Sequence, residues 1–228
     1  MRPDLPRAVL LDLDGTLADT APDLAGAINA LLVEQGRGVL PYEAIRPHAS
    51  HGSPALVRLA FGIEQTDAAF EPLRVRFLEI YRSNLARETR LFAGMETVLA
   101  ALEQKRIAWG IVTNKPAWLT EPLLEQLGIL NRAVCVVSGD TTPNRKPHPD
   151  PLLHAAKLLD RTPSQCVYVG DAERDITAAR KAGMATLVAA FGYIGSDDAP
   201  EAWGADAVIS TPLEILDWLG VEAASSVG

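Results

Sequence analysis

Ala8-Val9-Leu10-Leu11-Asp12-Leu13-Asp14-Gly15-Thr16-Leu17-Ala18-Asp19-Thr20 is the stretch on which the fold turns. Ala8 to Leu11 is an unbroken apolar run, the pattern of a strand buried on both faces. It ends in two carboxylates two positions apart. Residues i and i+2 of a strand point to one side. Asp12 and Asp14 are therefore aimed at one site, with the turn at Gly15 re-aiming the second. Carboxylates this close repel unless they share a proton or a cation. A solvated Asp-Gly turn would give the same pattern, so the rest of the chain has to decide between the two.

At 228 residues the chain can build one sizeable domain, or a core with a smaller insert. Its 48% apolar and 22% charged residues are an ordinary globular composition. A net charge of −8 leaves no basic stripe to neutralise phosphates, so no nucleic-acid partner is expected. Cys135 and Cys166 fall in expected strands and form no CxxC pair, and they read as core thiols of a reducing compartment. No run approaches about 18 apolar residues, and no signal-peptide core is present at the N-terminus. The expected setting is the cytoplasm, with no membrane partner.

Beyond the first strand, Pro22 opens a helix with Leu24, Ile28, Leu31 and Leu32 at helical spacing, stopped by Gly36-Arg37-Gly38. Residues 39–52 are expected as loop, then a short helix over 53–61 and a longer one over 70–85. No strand signal occurs between about 21 and 88. Residues 21–88 are therefore expected as an inserted helical cap domain, and 1–20 with 89–228 as the core domain. In the rest of the chain, strands are expected over 107–112, 133–137, 166–169, 185–190 and 207–209. Helices are expected over 95–104, 117–127, 150–159, 172–182 and 212–219, the last capped by Thr211. The tail, 221–228, is expected to fray. Strands joined by single helices predict an α/β fold with a doubly wound parallel sheet.

Such sheets bind ligands at the carboxyl ends of their strands, and four polar loops fall there. The first carries Asp12 and Asp14, the second Thr113 and Asn114, the third Lys146, the fourth Asp171 with Asp175. Asp171 and Asp175 are spaced i,i+4 at a helix start, and like charges so placed are unfavourable unless a cation intervenes. Mg²⁺ takes a few carboxylate oxygens and completes its shell with water and phosphate. A hydroxyl, an amide and a lysine beside it make a site for phosphoryl oxygens. A carboxylate there can attack phosphorus, and a second can protonate the leaving oxygen. No GxxxxGK[ST] loop, HExxH or Gly-x-Ser-x-Gly elbow is present.

Asp12-Leu-Asp-Gly-Thr-Leu-Ala-Asp-Thr, Val112-Thr-Asn, Lys146-Pro-His-Pro-Asp-Pro and Gly170-Asp-Ala-Glu-Arg-Asp175 resemble, in order, the four motifs of the haloacid dehalogenase superfamily. The resemblance covers nearly the whole chain and implies a Rossmann-like core with an α-helical cap inserted after the first strand. It implies Asp12 as nucleophile and Asp14 as general acid and base. It puts Thr113, Asn114 and Lys146 on the substrate phosphate. Mg²⁺ is implied on Asp12, Asp171 and the backbone carbonyl of Asp14, with Asp175 behind them. The chain further resembles the phosphoglycolate phosphatase branch. Phe191-Gly-Tyr-Ile and Trp203-Gly-Ala-Asp206 look more like the N-acetylmuramic acid 6-phosphate phosphatases. The implied substrate is a small phosphate ester, handled by a monomer or homodimer.

In the expected cap, His48-Ala-Ser-His51-Gly-Ser-Pro54 resembles the loop that covers the active site, which makes His51, Gly52 and Ser53 candidates for choosing the substrate. His51 reads equally as a surface residue. Glu173 and Arg174 are expected to face outwards or pair with each other, Trp118 to pack, and Arg145 to add charge near the phosphate or face solvent. Three rivals remain. A phosphomutase of the same fold needs a cap suited to rebinding a bisphosphate. A dehalogenase has no use for Asp14 and the metal acids. A receiver-type signalling domain carries its phosphoacceptor after the third strand, where this chain has Lys146.

Overall fold

The computed structural model of the chain describes residues 6–196 and 198–222. The first strand, β1 (Ala8–Leu11), is buried at every position. A tight turn comes next, in which the N–H groups of Leu17 and Ala18 both donate to the Leu13 carbonyl, at 3.1 and 3.0 Å. It leads to a two-residue strand, β2 (Ala18–Asp19), and then to a helical block. The block comprises α1 (Ala21–Glu34), α2 (Tyr42–Ile45), a 3₁₀ turn (Arg46–His51), α3 (Gly52–Phe61) and α4 (Phe70–Ser83). The chain leaves the block through β3 (Arg90–Leu91), which pairs antiparallel with β2.

Alternation then resumes with α5 (Met95–Gln104), β4 (Ala108–Val112), α6 (Ala117–Gln126) and β5 (Cys135–Val137). After these come α7 (Asp150–Leu158), β6 (Cys166–Gly170), α8 (Glu173–Ala182), β7 (Ala185–Ala189), β8 (Ala207–Ile209) and α9 (Glu214–Leu219). Six strands form one parallel sheet in the order β5-β4-β1-β6-β7-β8. This is the doubly wound α/β fold that the apolar runs predict.

The side-chain alternation of the strands builds a core on each face. Ala8 and Leu10 of β1 pack with Tyr168 and the buried sides of α7 and α8. Val9 and Leu11 face the other way, into a cluster that runs through Trp109, α5 and α6 and on into the helical block. Both cysteines are buried free thiols. Among the described residues no helix is long and apolar enough to cross a membrane.

Three details differ from the sequence reading. Residues 42–51 are helical rather than loop, because Pro47 starts the 3₁₀ turn with its preset φ and Gly52, at φ +74°, redirects the chain into α3. The paired β2 and β3 are too short to leave a periodic signal. Thr211 does not cap α9; instead Glu214 folds back to accept the N–H groups of Ser210 and Thr211, at 3.0 and 2.8 Å. Residues 223–228 of the expected fraying tail lie outside the described residues.

The exit of the block is stapled to its first helix. Asp23, buried on α1, accepts from the N–H groups of Glu88 and Thr89, both at 2.9 Å, and from the Thr89 hydroxyl at 2.6 Å.

Candidate active site

β1 lies between β4 and β6, where the winding of the sheet reverses, and loops from its carboxyl edge close over that point. The Asp12 N–H donates to the Val169 carbonyl at 2.9 Å, which extends the β1–β6 ladder by one residue and fixes Asp12 at the strand end. Its Oδ1 accepts from the Leu13 N–H at 2.7 Å and lies 2.9 Å from Lys146 Nζ. Lys146 Nζ also lies 2.7 Å from Asp175 Oδ1 and donates to the Val112 carbonyl and the Tyr168 hydroxyl, at 2.9 and 2.7 Å. Asp12, Lys146 and Asp175 are at most 3% exposed. Such a buried charge cluster is tolerated because its members pair with one another.

Asn114 brings the lysine there. Its Nδ2 donates to the Lys146 carbonyl at 2.9 Å and its Oδ1 accepts the Lys146 N–H at 3.1 Å. Both ends of this amide are thus occupied by the Lys146 backbone, although Asn114 also lines the cleft between the block and the sheet. The Thr113 Oγ1 accepts the Lys115 N–H at 3.1 Å, and Thr113 is 3% exposed. Gly139 allows the approach of these loops, since a Cβ there would meet the Asn114 carbonyl oxygen at 2.1 Å.

Asp171 succeeds β6 in the chain and is 2% exposed. Its Oδ2 accepts from the Tyr193 N–H at 2.9 Å and from the Ser50 hydroxyl at 2.6 Å. Gly15, at φ +85°, and Gly192 both press on this side chain, and a Cβ at Gly15 would come within 2.0 Å of Asp171 Oδ2. One carboxylate oxygen each from Asp12, Asp171 and Asp175 lies within 4.8 Å of the others. Asp171 Oδ1 and Asp175 Oδ1 are buried and accept no aligned hydrogen bond among the described residues. Burial pushes the Asp171 pKa up to about 7, helped by the charges of Asp12 and Asp175. Burial likewise pushes Asp12 up to about 6, against the pull of Lys146. Three crowded carboxylates, of which Asp12 and Asp171 have raised pKa values and Asp171 keeps a buried oxygen with no hydrogen bond among the described residues, fit a divalent cation held by oxygen ligands.

Asp14 points away from this cluster, as the turn at Gly15 requires. Its Oδ1 accepts from the Thr20 hydroxyl at 2.6 Å and from Lys115 Nζ at 2.9 Å, and no donor among the described residues holds Oδ2. The Asp14 carbonyl oxygen has the Ser50 hydroxyl 3.4 Å away. Lys115 also lies over the Tyr81 ring of α4, 4.6 Å from its centroid, so it joins Asp14 to the helical block. Tyr193 ties the same linker down from the other side. Its hydroxyl accepts the Ala21 N–H and donates to Asp19 Oδ1, both at 2.8 Å.

A cleft of about 650 Å³ runs between the block and the sheet edge. His51, Gly52 and Ser53 line it with Asp12, Asp14 and Thr113. Ser50, Lys115, Tyr168 and Arg174 are site residues that the sequence reading missed. Arg174 does not face outwards with Glu173. Its Nη2 donates to the Ser50 carbonyl at 2.6 Å and its Nη1 lies 3.5 Å from His51 Nδ1. Trp118 is not a packing residue either, being 40% exposed on the cleft wall. Arg145 lines the cleft too, with its Nε donating to the Gly139 carbonyl at 2.7 Å.

The family model described as haloacid dehalogenase-like hydrolase matches residues 9–189. A phosphoglycolate phosphatase from Xanthomonas campestris is 47% identical over 212 residues, 93% of this chain and 96% of the relative. An N-acetylmuramic acid 6-phosphate phosphatase from Pseudomonas putida is 43% identical over 209 residues, 92% of this chain and 94% of the relative. A crystal structure of a predicted phosphoglycolate phosphatase from Haemophilus somnus superposes with a TM-score of 0.83 at 28% identity, covering 93% of this chain and 97% of that one.

Proposed function

The chain belongs to the haloacid dehalogenase-like hydrolases, and from that premise we propose that it hydrolyses a small phosphate monoester through a covalent phosphate on Asp12. The observation that carries the reading is the Asp12 carboxylate itself. It is buried at the end of β1, oriented by Lys146 and the Leu13 N–H, and open to a cleft that Asp14 shares. Asp12, Asp171 and the carbonyl oxygen of Asp14 would hold Mg²⁺, with Asp175 behind them, and the ion would supply positive charge to the phosphoryl group.

In the first step an Asp12 oxygen attacks phosphorus, the bond to the leaving oxygen breaks, and Asp14 gives that oxygen its proton. In the second, Asp14 takes a proton from water whose oxygen attacks phosphorus, and the bond to Asp12 breaks. Thr20 and Lys115 both hold Asp14 by Oδ1, which leaves Oδ2 for the proton. In this reading Thr113 and Lys146 bind phosphoryl oxygens, and Asn114 acts by holding the Lys146 backbone in position. Residues 21–88 serve as a cap over the site, hinged where β2 pairs with β3 and where Asp23 ties α1 to the exit at Glu88 and Thr89.

The two relatives' names leave two substrates. A cleft of about 650 Å³, with an exposed tryptophan on its wall, supports the bulkier amino-sugar acid phosphate, N-acetylmuramic acid 6-phosphate. The 47% identity to a protein named for phosphoglycolate supports 2-phosphoglycolate as the second reading. Phosphate release from glycolate, hexose, amino-sugar and nucleotide phosphates, compared by kcat/KM, tests both. The first reading expects N-acetylmuramic acid 6-phosphate to lead. A nucleotide or a plain hexose phosphate in first place would overturn both readings.

A further inference from the structure

Most cations of the cleft are already neutralised. Lys115 pairs with Asp14 at 2.9 Å, Arg74 with Glu71 at 2.6 Å, and the neighbouring Lys146 with Asp12 and Asp175. Arg174 and Arg145 differ, for among the described residues neither has a carboxylate within 4.0 Å. Arg145 stands on the loop beside Lys146 and is directed to the Gly139 carbonyl. Arg174 stands elsewhere, in the first turn of α8 between the two motif aspartates, and reaches across to Ser50 and His51 of the helical block. Its known partners are one carbonyl and one imidazole. A guanidinium offers five N–H donors in a planar fork that fits a carboxylate with two parallel bonds.

The chemistry of the relatives' substrates meets this observation. Glycolate and N-acetylmuramic acid share no ring, no amide and no common size. Apart from the phosphate, their one common group is a carboxylate. A cleft lined by Asp12, Asp14 and Asp140 repels a second anion unless an unpaired cation meets it. We propose, resting on the phosphatase reading above, that Arg174 binds the carboxylate of the substrate, so that the chain selects phosphate monoesters bearing a carboxylate.

Two matched pairs of esters isolate that group. One pair is 2-phosphoglycolate and ethyl phosphate; the other is N-acetylmuramic acid 6-phosphate and N-acetylglucosamine 6-phosphate, which differ by the lactyl ether alone. The expected result is a kcat/KM preference of about tenfold or more for the carboxylate member of at least one pair. In Arg174→Gln that preference falls to within about threefold of unity, chiefly through KM, and Arg174→Lys restores part of it. The preference is a ratio within one protein, so a general loss of folded enzyme cancels. Should Arg174→Gln fail to fold, Arg174→Lys keeps the charge and still reads a diminished preference.

No preference in the unsubstituted enzyme, or one that survives in both variants, would overturn the proposal. So would an equal loss in Arg145→Gln, which would mean a diffuse field in place of a specific contact. Absence of phosphate release from every ester would overturn the phosphatase reading instead, which keeps the two failures apart.

Discussion

The carboxyl edge of the sheet and the Ser50–Ser53 segment face each other across the cleft, yet they are held in opposite ways. On the sheet side Asp12, Lys146, Asp171 and Asp175 are at most 3% exposed, and Lys146 Nζ alone meets four oxygen atoms within 2.9 Å. On the helical side His51 is exposed, and Ser53 makes no side-chain hydrogen bond among the described residues. Only Ser50 is drawn into the buried network, through Asp171. A rigid, paired cluster suits the part of the reaction that every phosphate monoester shares. Loosely held groups suit contacts that must differ from one leaving group to the next.

The largest effect should come from the rigid side. Asp12→Asn keeps shape and loses the attacking charge. Turnover should fall by more than about a hundredfold in kcat/KM, roughly 2.7 kcal/mol, with the circular dichroism of the folded protein unchanged. A variant that retained more would remove Asp12 from the chemistry and blur the contrast between the two sides.

Metal removal should act on the same side. EDTA should abolish phosphate release and Mg²⁺ restore it, whereas Ca²⁺, with its taste for higher coordination and bidentate carboxylates, should replace it poorly. Full activity in chelator would contradict the carboxylate site. Thermal unfolding gives a second reading. Asp171 and Asp12 are raised to about 7 and about 6, against about 4 in an unfolded chain. Without metal the folded protein therefore holds extra protons between these values. Stability from this cluster is present at low pH and is lost as pH rises through 6 to 7. A cation replaces those protons, so the rise in Tm on adding Mg²⁺ should be larger at about pH 8 than at about pH 5.5. An equal or smaller rise at the higher pH would mean that the cation binds elsewhere.

The helical side should give the smaller, substrate-dependent effects. His51→Ala and Ser53→Ala should change the ratio of kcat/KM between phosphoglycolate and amino-sugar phosphates by about 1–3 kcal/mol. Loss on p-nitrophenyl phosphate should stay below about tenfold. Equal losses on every ester would make these residues part of the common machinery. No change on any ester would put the segment outside the site.

The two sides are also unequally legible in the sequence. Asp12, Asp14, Thr113 and Asp171 can be found because each comes within three residues of the end of a buried apolar strand, whereas Lys146 and Asp175 lie further along and are found by the order of the four motifs. Lys115 is within reach, since a lysine beside Thr113 and Asn114 on that loop enters the same site. Arg174 is misread because it sits beside Glu173 between the two motif aspartates, where the spare charges of a helix start are expected to face outwards or pair. Only the fold turns it towards Ser50. Ser50 gives no local signal at all, for its partner Asp171 is distant in sequence and is met only when the block packs on the sheet. Trp118 obeys the same rule, its exposure being decided by where α4 leaves the cleft open.

The covalent phosphate on Asp12 is the central claim, and trapping it tests the claim most directly. The Mg²⁺-loaded enzyme is mixed with a turned-over ester, quenched in acid within one turnover, reduced with borohydride and digested for peptide mass spectrometry. An acyl phosphate is reduced where a free carboxylate is not, so Asp12 should be recovered as homoserine in proportion to the intermediate present at the quench. Turnover at the same rate with Asp12 unreduced, or with the reduction at another carboxylate such as Asp14 or Asp171, would contradict the account.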